Sequence, residues 1–66
     1  MKVHYDEKSD ALYLRLDDSD IVESEEVAAG VILDFNDKNQ VIGVEILNVK
    51  DRIAEKNLKE ISFQVA

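Results

Sequence analysis

GVILDFNDKNQVIGVEIL, from Gly30 to Leu47, decides the fold. Two apolar runs, each of strand length, flank a polar turn at Asn36–Gln40, which is the pattern of a β-hairpin. Asn39 is the turn residue that best tolerates a left-handed backbone. A two-residue loop at Lys38-Asn39 sets Leu33 opposite Val44 and Phe35 opposite Ile42. Val31, Leu33, Phe35, Ile42, Val44 and Ile46 then share one face, and Ile32, Asp34, Gly43, Glu45 and Leu47 the other. A three-residue loop sets Asp34 opposite Ile42 and Ile32 opposite Val44. A one-residue slip moves a strand's side chains to the other face, and both registers stay open. In either, both faces carry several apolar residues, so two covers are expected. One helix supplies one cover and a second subunit the other.

Outward from the hairpin, Lys2–Asp6 reads as a strand with Val3 and Tyr5 on one face and His4 on the other. Asp6–Asp10 is a polar turn. In Asp10–Leu16, Leu12, Leu14 and Leu16 alternate with Ala11, Tyr13 and Arg15, the period of a second strand. Asp17–Glu26 (DDSDIVESEE) is an acidic connector, in which Ile21 and Val22 form a short edge extension. Val27–Phe35 is the third strand, with Gly30 at a bulge, bend or close approach. Asn48 caps a short helix over Val49–Lys56, with Asp51 three residues on in a weak capping box. Asn57 terminates it, and Ile61, Phe63 and Val65 alternate in a final strand. The expected fold is α+β: a mainly antiparallel sheet of four to five strands (ββββαβ) with one short helix packed on one face. A longer helix through Leu58 and Ile61 is the alternative.

At 66 residues the chain is one small domain. A domain this size buries roughly 60% of its unfolded surface and usually needs a disulfide, a metal or a second subunit. There is no cysteine and one histidine, His4, which excludes disulfides, thiolate metal sites and a His-rich zinc site. Self-association, most simply as a homodimer, or binding to another protein is the expected source of extra stability. The N-terminus lacks an apolar signal core, and no apolar run spans a bilayer. A soluble, cytoplasmic chain with no membrane contact is expected.

Eight basic residues face fifteen acidic ones, for a net charge of −7. Nucleic-acid binding replaces phosphate counterions with lysine and arginine, so direct nucleic-acid binding is not expected. Six of the acids lie in residues 17–26 with no basic residue, and the chain without that connector carries −1. Edge charges block unwanted strand pairing. The functional counterpart is a docking site for a basic protein, with Glu23, Glu25 and Glu26 as the candidates.

At this point the chain resembles the domain of unknown function 2283 family, small prokaryotic proteins with no assigned activity. The resemblance runs through MKVHYDEKSDALYLRL, ESEEVAAGVILDF and VIGVEILNVKDRI, over roughly residues 1–53. It rests on Tyr5, Asp6, Asp10, Leu12, Tyr13, Ser24, Glu25, Gly30, Leu33, Asp34, Gly43, Glu45, Ile46 and Leu47. Asn39 stands where the family more usually has glycine, and Val44 where it has isoleucine. The resemblance implies a compact α+β module and carries over no catalytic residue. Relatives encoded near small toxin-like genes imply an interaction or antitoxin-like role.

For chemistry, Asp34 and Glu45 are the best carboxylate candidates. Paired carboxylates serve as acid and base or bind a metal; the structural alternative is that Asp34 bonds backbone or hydroxyl groups and Glu45 sits at a wet edge or pairs with Lys2, Arg15 or Lys50. Asp17-Asp18-Ser19-Asp20 lacks the glycine and flanking helices of an EF-hand. His4 has no nucleophile elbow to serve, and two glycines make no phosphate loop. Tyr5 and Tyr13, on neighbouring strands, read as cross-strand packing. No cofactor is called for. An interaction module that binds a basic partner sterically is therefore the first functional reading. A small enzyme, or a metal or small-molecule binding protein, using Asp34 and Glu45 is the second.

Overall fold

The computed structural model describes residues 1–60 and 62–65. Five strands form one antiparallel sheet: β1 (Lys2–Asp6), β2 (Ala11–Arg15), β3 (Glu23–Ala28), β4 (Val31–Phe35) and β5 (Val41–Ile46). They lie in the order β1-β2-β5-β4-β3. A 3-10 turn at Val49–Asp51 and a four-residue helix, α1 (Glu55–Leu58), follow.

The β4–β5 hairpin takes the two-residue-loop register at its centre, with Leu33 opposite Val44 and Asp34 opposite Gly43. The register then shifts: Phe35 pairs with Val41, not Ile42. Asn39 adopts φ 59°. Asn36 organises this turn, its Oδ1 accepting from the backbone N–H of Lys38 and of Gln40, both at 3.0 Å.

The third expected strand divides in two. Gly30, at φ 74°, reverses the chain between Ala28 and Val31, which face each other. The last part of the acidic connector therefore becomes an edge strand, β3. Ser24, Glu25 and Glu26 pair with Asp34, Leu33 and Ile32. Only residues 16–22 remain as connector. They carry the chain across the end of the sheet, bonding Ile42 O from Leu16 N at 2.7 Å and Phe35 O from Val22 N at 2.9 Å.

The helix expected over Val49–Lys56 is absent. Asn48 has φ 53° and makes no side-chain cap bond, and the 3-10 turn ends at Arg52. Eight residues supply too few hydrogen bonds to overcome helix nucleation without a packed face. α1 has four residues, so no packed helix covers the sheet. Residues 62–65 form no strand, and Ile61 lies outside the described residues. The extensive contacts between elements all join neighbouring strands. The molecule is one layer, with extents of 36 × 30 × 20 Å.

The two faces differ. Register places Val3, Leu14, Val44 and Leu33 in one row across four strands, and Tyr5, Leu12, Ile46 and Val31 in the next. The reverse face carries Lys2, His4, Tyr13, Arg15, Gly43, Glu45, Asp34, Ser24 and Glu26, with Ile32 among them. This second face is polar, so one cover is needed rather than two. Even the inner-strand residues Leu12, Leu14, Leu33, Val44 and Ile46 are only half-buried. Ile42 and Val49 are the fully buried apolar residues among those described.

Candidate functional site

The polar face gathers a connected side-chain network over β2, β5, β4 and β3. Asp34 is its centre and is only 1% exposed. Ser24 Oγ donates to Asp34 Oδ1 at 2.6 Å, and Tyr13 OH donates to Asp34 Oδ2 at 3.3 Å. Arg15 Nη1 donates to Tyr13 OH at 3.3 Å. The donors thus run one way, from guanidinium to phenol to carboxylate. Arg15 also holds the connector, donating from Nε to Asp17 O at 2.7 Å and from Nη2 to Ser19 O.

Gly43 makes room for this cluster. A Cβ there would sit 2.7 Å from Asp34 Oδ2 and 3.1 Å from Tyr13 OH. Glycine is required here for close approach; its backbone needs no special φ.

Glu45 stands beside Asp34, and its carboxyl pKa is raised. Burial is the larger cause; the side-chain hydrogen bond with Asp34 and that residue's negative charge add to it. Two interacting carboxyls of which one is shifted upward form the kind of arrangement that can supply an acid near neutral pH. Next to it, Lys2, His4, Tyr13, Arg15 and Asp18 line an open hollow of ≈ 360 Å³. Among the described residues, no group of three or more His, Cys, Asp or Glu side chains is arranged to hold a metal ion.

The remaining sequence candidates scatter. Glu23 and Glu25 lie on the apolar-face side of β3, opposite Phe35 and Leu33, while Glu26 lies on the polar side opposite Ile32. All six residues of β3 are exposed. Tyr5 and Tyr13 do not pack together: Tyr5 pairs with Leu12 and Tyr13 with His4, on opposite faces. Tyr5 OH instead donates to Asp10 Oδ1 at 2.6 Å.

Asp10, at φ 53°, links the first hairpin to the 3-10 turn. Its carboxylate accepts from Lys50 N at 3.2–3.3 Å and its carbonyl accepts from Val49 N at 3.2 Å. Asp6 Oδ1 accepts from Lys8 N at 3.0 Å, and this bond, then the Ser9 hydroxyl, lowers its pKa. Asp17 Oδ2 accepts from the Ser19 hydroxyl and N–H, which lowers its pKa likewise. Gly30 packs under Arg52, whose Nη2 donates to Ala29 O at 2.5 Å and whose Nε donates to Leu47 O at 2.9 Å.

Residues 16–22, Asp10 and Asn36 hold structural roles that periodicity does not reveal. Asn36 is only 6% exposed and also donates from Nδ2 to Gln40 Oε1 and to Ser19 Oγ. The signal available in sequence was a set of short polar side chains at strand ends, which commonly bond nearby backbone.

The fold and this network define a small antiparallel-sheet protein with one apolar face and one carboxylate-bearing face. Its sequence matches the family described as protein of unknown function (DUF2283) over residues 2–50, and the chain belongs to that family. The match spans all five strands and ends within the 3-10 turn. No curated protein and no solved structure matches the chain. No helix among the described residues is long and apolar enough to cross a membrane.

Proposed function

We propose that this chain is a protein–protein interaction module that works by steric binding, in an antitoxin-like manner, rather than by catalysis. The observation that carries this is the uncovered apolar face. A folded monomer of this mass exposes about 4,200 Å²; this chain exposes 5211 Å². Phe63 and Val65, 73% and 84% exposed, contribute part of the surplus. The sheet face contributes through its half-buried inner strands. Large apolar side chains that stand exposed, Val3, Val27 and Val41 among them, mark interaction surfaces when they cluster.

The acidic edge adds selectivity. Glu23, Glu25 and Glu26 on β3 favour a basic protein in the cytoplasm, speed its encounter and disfavour acidic competitors. Glu23→Gln/Glu25→Gln/Glu26→Gln in the tagged protein tests this directly. Capture of a basic protein from its own cell lysate at low salt is expected from the parent and lost from the variant, with the far-UV spectrum unchanged. Capture that survives both the triple change and moderate salt refutes the acidic docking.

A second reading, an enzyme or small-molecule site, is supported by the raised pKa of Glu45 beside buried Asp34. It predicts thermal stabilisation by a ligand that disappears in Glu45→Gln. A ligand screen without any such shift refutes it.

A further inference from the structure

We infer that the apolar face is closed by a second copy of this chain, stacked face to face about a two-fold axis that runs along the strands. The inference rests on the interaction-module reading and names one occupant of its surface.

Three observations point to a second copy. The first is chemical. The rows Val3–Leu14–Val44–Leu33 and Tyr5–Leu12–Ile46–Val31 contain no charged side chain on the four strands they cross. A basic protein finds nothing to pair with there; a flat apolar sheet does. This chain carries such a surface, and twisted sheets stack on one another about 10 Å apart. The second is area. The surplus over a folded monomer is about 1,000 Å², and a stable interface takes about 800 Å² from each partner. Five strands of five or six residues, about 4.8 Å apart, offer that contact a face of roughly 20 × 24 Å, widened by its projecting side chains. The third is cover from within. Ser62 and Phe63 line a hollow of ≈ 570 Å³ at one corner with Met1, Val3 and Leu14. Ile42, at the connector end of β5, is buried, but Leu33, Val44 and Ile46 at the centre of the face stay half-buried.

Charge selects the axis. Glu23 and Glu25 lie at the β3 edge of the apolar face. An axis across the strands would lay β3 over β3 of the other copy and oppose like charges, which is destabilising. An axis along the strands lays β3 over β1 and β5 over β5. The glutamate rows then lie at opposite ends of the sandwich, beside the other copy's N-terminus, and both polar faces stay outside.

The test is the mass of the full-length protein in solution, by light scattering and sedimentation equilibrium. Twice the chain mass is expected at micromolar concentration. Val3→Lys at the edge and Leu33→Lys at the centre should each weaken self-association about 30-fold or more, with the sheet's circular dichroism retained at least in Val3→Lys. Lys2→Gln, one residue away on the polar face, should leave the mass unchanged. Because the chain has no cysteine, a nitroxide on Glu25→Cys reports the axis. The two labels should lie about 20 Å apart across the sandwich, against about 10 Å if β3 faces β3. A single-chain mass at all concentrations overturns the proposal. So does a double mass that survives both lysine variants, or a label separation near 10 Å. Loss of basic-protein capture with the double mass intact would instead remove the docking reading and leave this one standing.

Discussion

The two faces of this sheet solve opposite problems with the same strands. On one face, leucine, isoleucine and valine stand in register with no layer above them. On the other, Asp34 is held by Ser24 from the neighbouring β3 and by Tyr13 reaching across Gly43 from β2, with Arg15 donating to Tyr13 behind it. Apolar burial is non-directional and needs area from elsewhere. A hydrogen-bonded carboxylate needs only correctly placed donors. The polar face is therefore complete in one chain, whereas the apolar face is complete only with the second copy proposed above.

That contrast is most severely tested at Gly43. Gly43→Val adds a side chain into the 2.7 Å and 3.1 Å approaches to Asp34 and Tyr13. A loss of about 3 kcal/mol is expected in urea unfolding, at the upper end for overpacking. A neutral result would show that the cluster relaxes freely and is not preorganised. Asp34→Asn comes next. With its Oδ1 toward Tyr13 OH, the amide turns Nδ2 toward Ser24 Oγ, whose hydroxyl must reverse and accept, and both bonds lose the help of the carboxylate charge. About 1–2 kcal/mol should be lost, the difference between charge-assisted and neutral hydrogen bonds at a buried site. Retention of full stability would mean that Asp34's carboxylate is not what holds these side chains together.

The apolar face gives a smaller effect with a different signature. In a lone sheet Leu33 is half-buried, so Leu33→Ala should cost about 1 kcal/mol, roughly half the value of full burial. In a closed sandwich it should cost more than about 2 kcal/mol, and the cost should depend on protein concentration. Unfolding at two concentrations separates these. The polar-face variants should show no such extra dependence.

How much of this was legible in the sequence follows from the same contrast. Period-2 alternation identifies β1, β2 and β5. Leu33 opposite Val44, with Asp34 and Glu45 on one face, is one of the two registers that the turn leaves open, and the centre of the hairpin takes it. It failed at Glu23–Ala28 because ESEEVA carries no apolar alternation. That strand is held by its neighbour β4 and by Ser24's bond to Asp34, not by burial of its own side chains. Gly30 reads as a bulge, a bend or a close approach within one strand, since an apolar run through Val27–Phe35 conceals a reversal. The helix over Val49–Lys56 was read from spacing that the fold does not use: Val49 is buried, yet Ile53 is 40% exposed. The donor network was illegible because its members come from residues 13, 15, 24 and 34, which only the strand order β2-β5-β4-β3 brings together.

The smallest effect expected is the most informative about the carboxylate pair. Burial and Asp34 raise the Glu45 pKa in the folded chain, so its protonated form is favoured on folding. That contribution is fully present below the unfolded pKa and is lost as pH rises through the folded value. At neutral pH an ionised Glu45 is held beside Asp34 at a cost. Glutamine stands in for the neutral acid, so Glu45→Gln should match the parent in acid and exceed it at pH 7. The gain should stay under about 1 kcal/mol, because Glu45 is partly exposed and solvent screens it. Asp6 and Asp17 work in the opposite sense: their pKa values are lowered, so their contribution is present above the unfolded value and lost as pH falls. Both chains share that loss, and the difference between their pH–stability curves isolates Glu45. Repeating the comparison in Asp34→Asn removes one cause of the shift, so the neutral-pH gain should shrink. A gain that is independent of pH, or unchanged without Asp34's charge, would mean that Asp34 does not raise the Glu45 pKa and that this face is structural only.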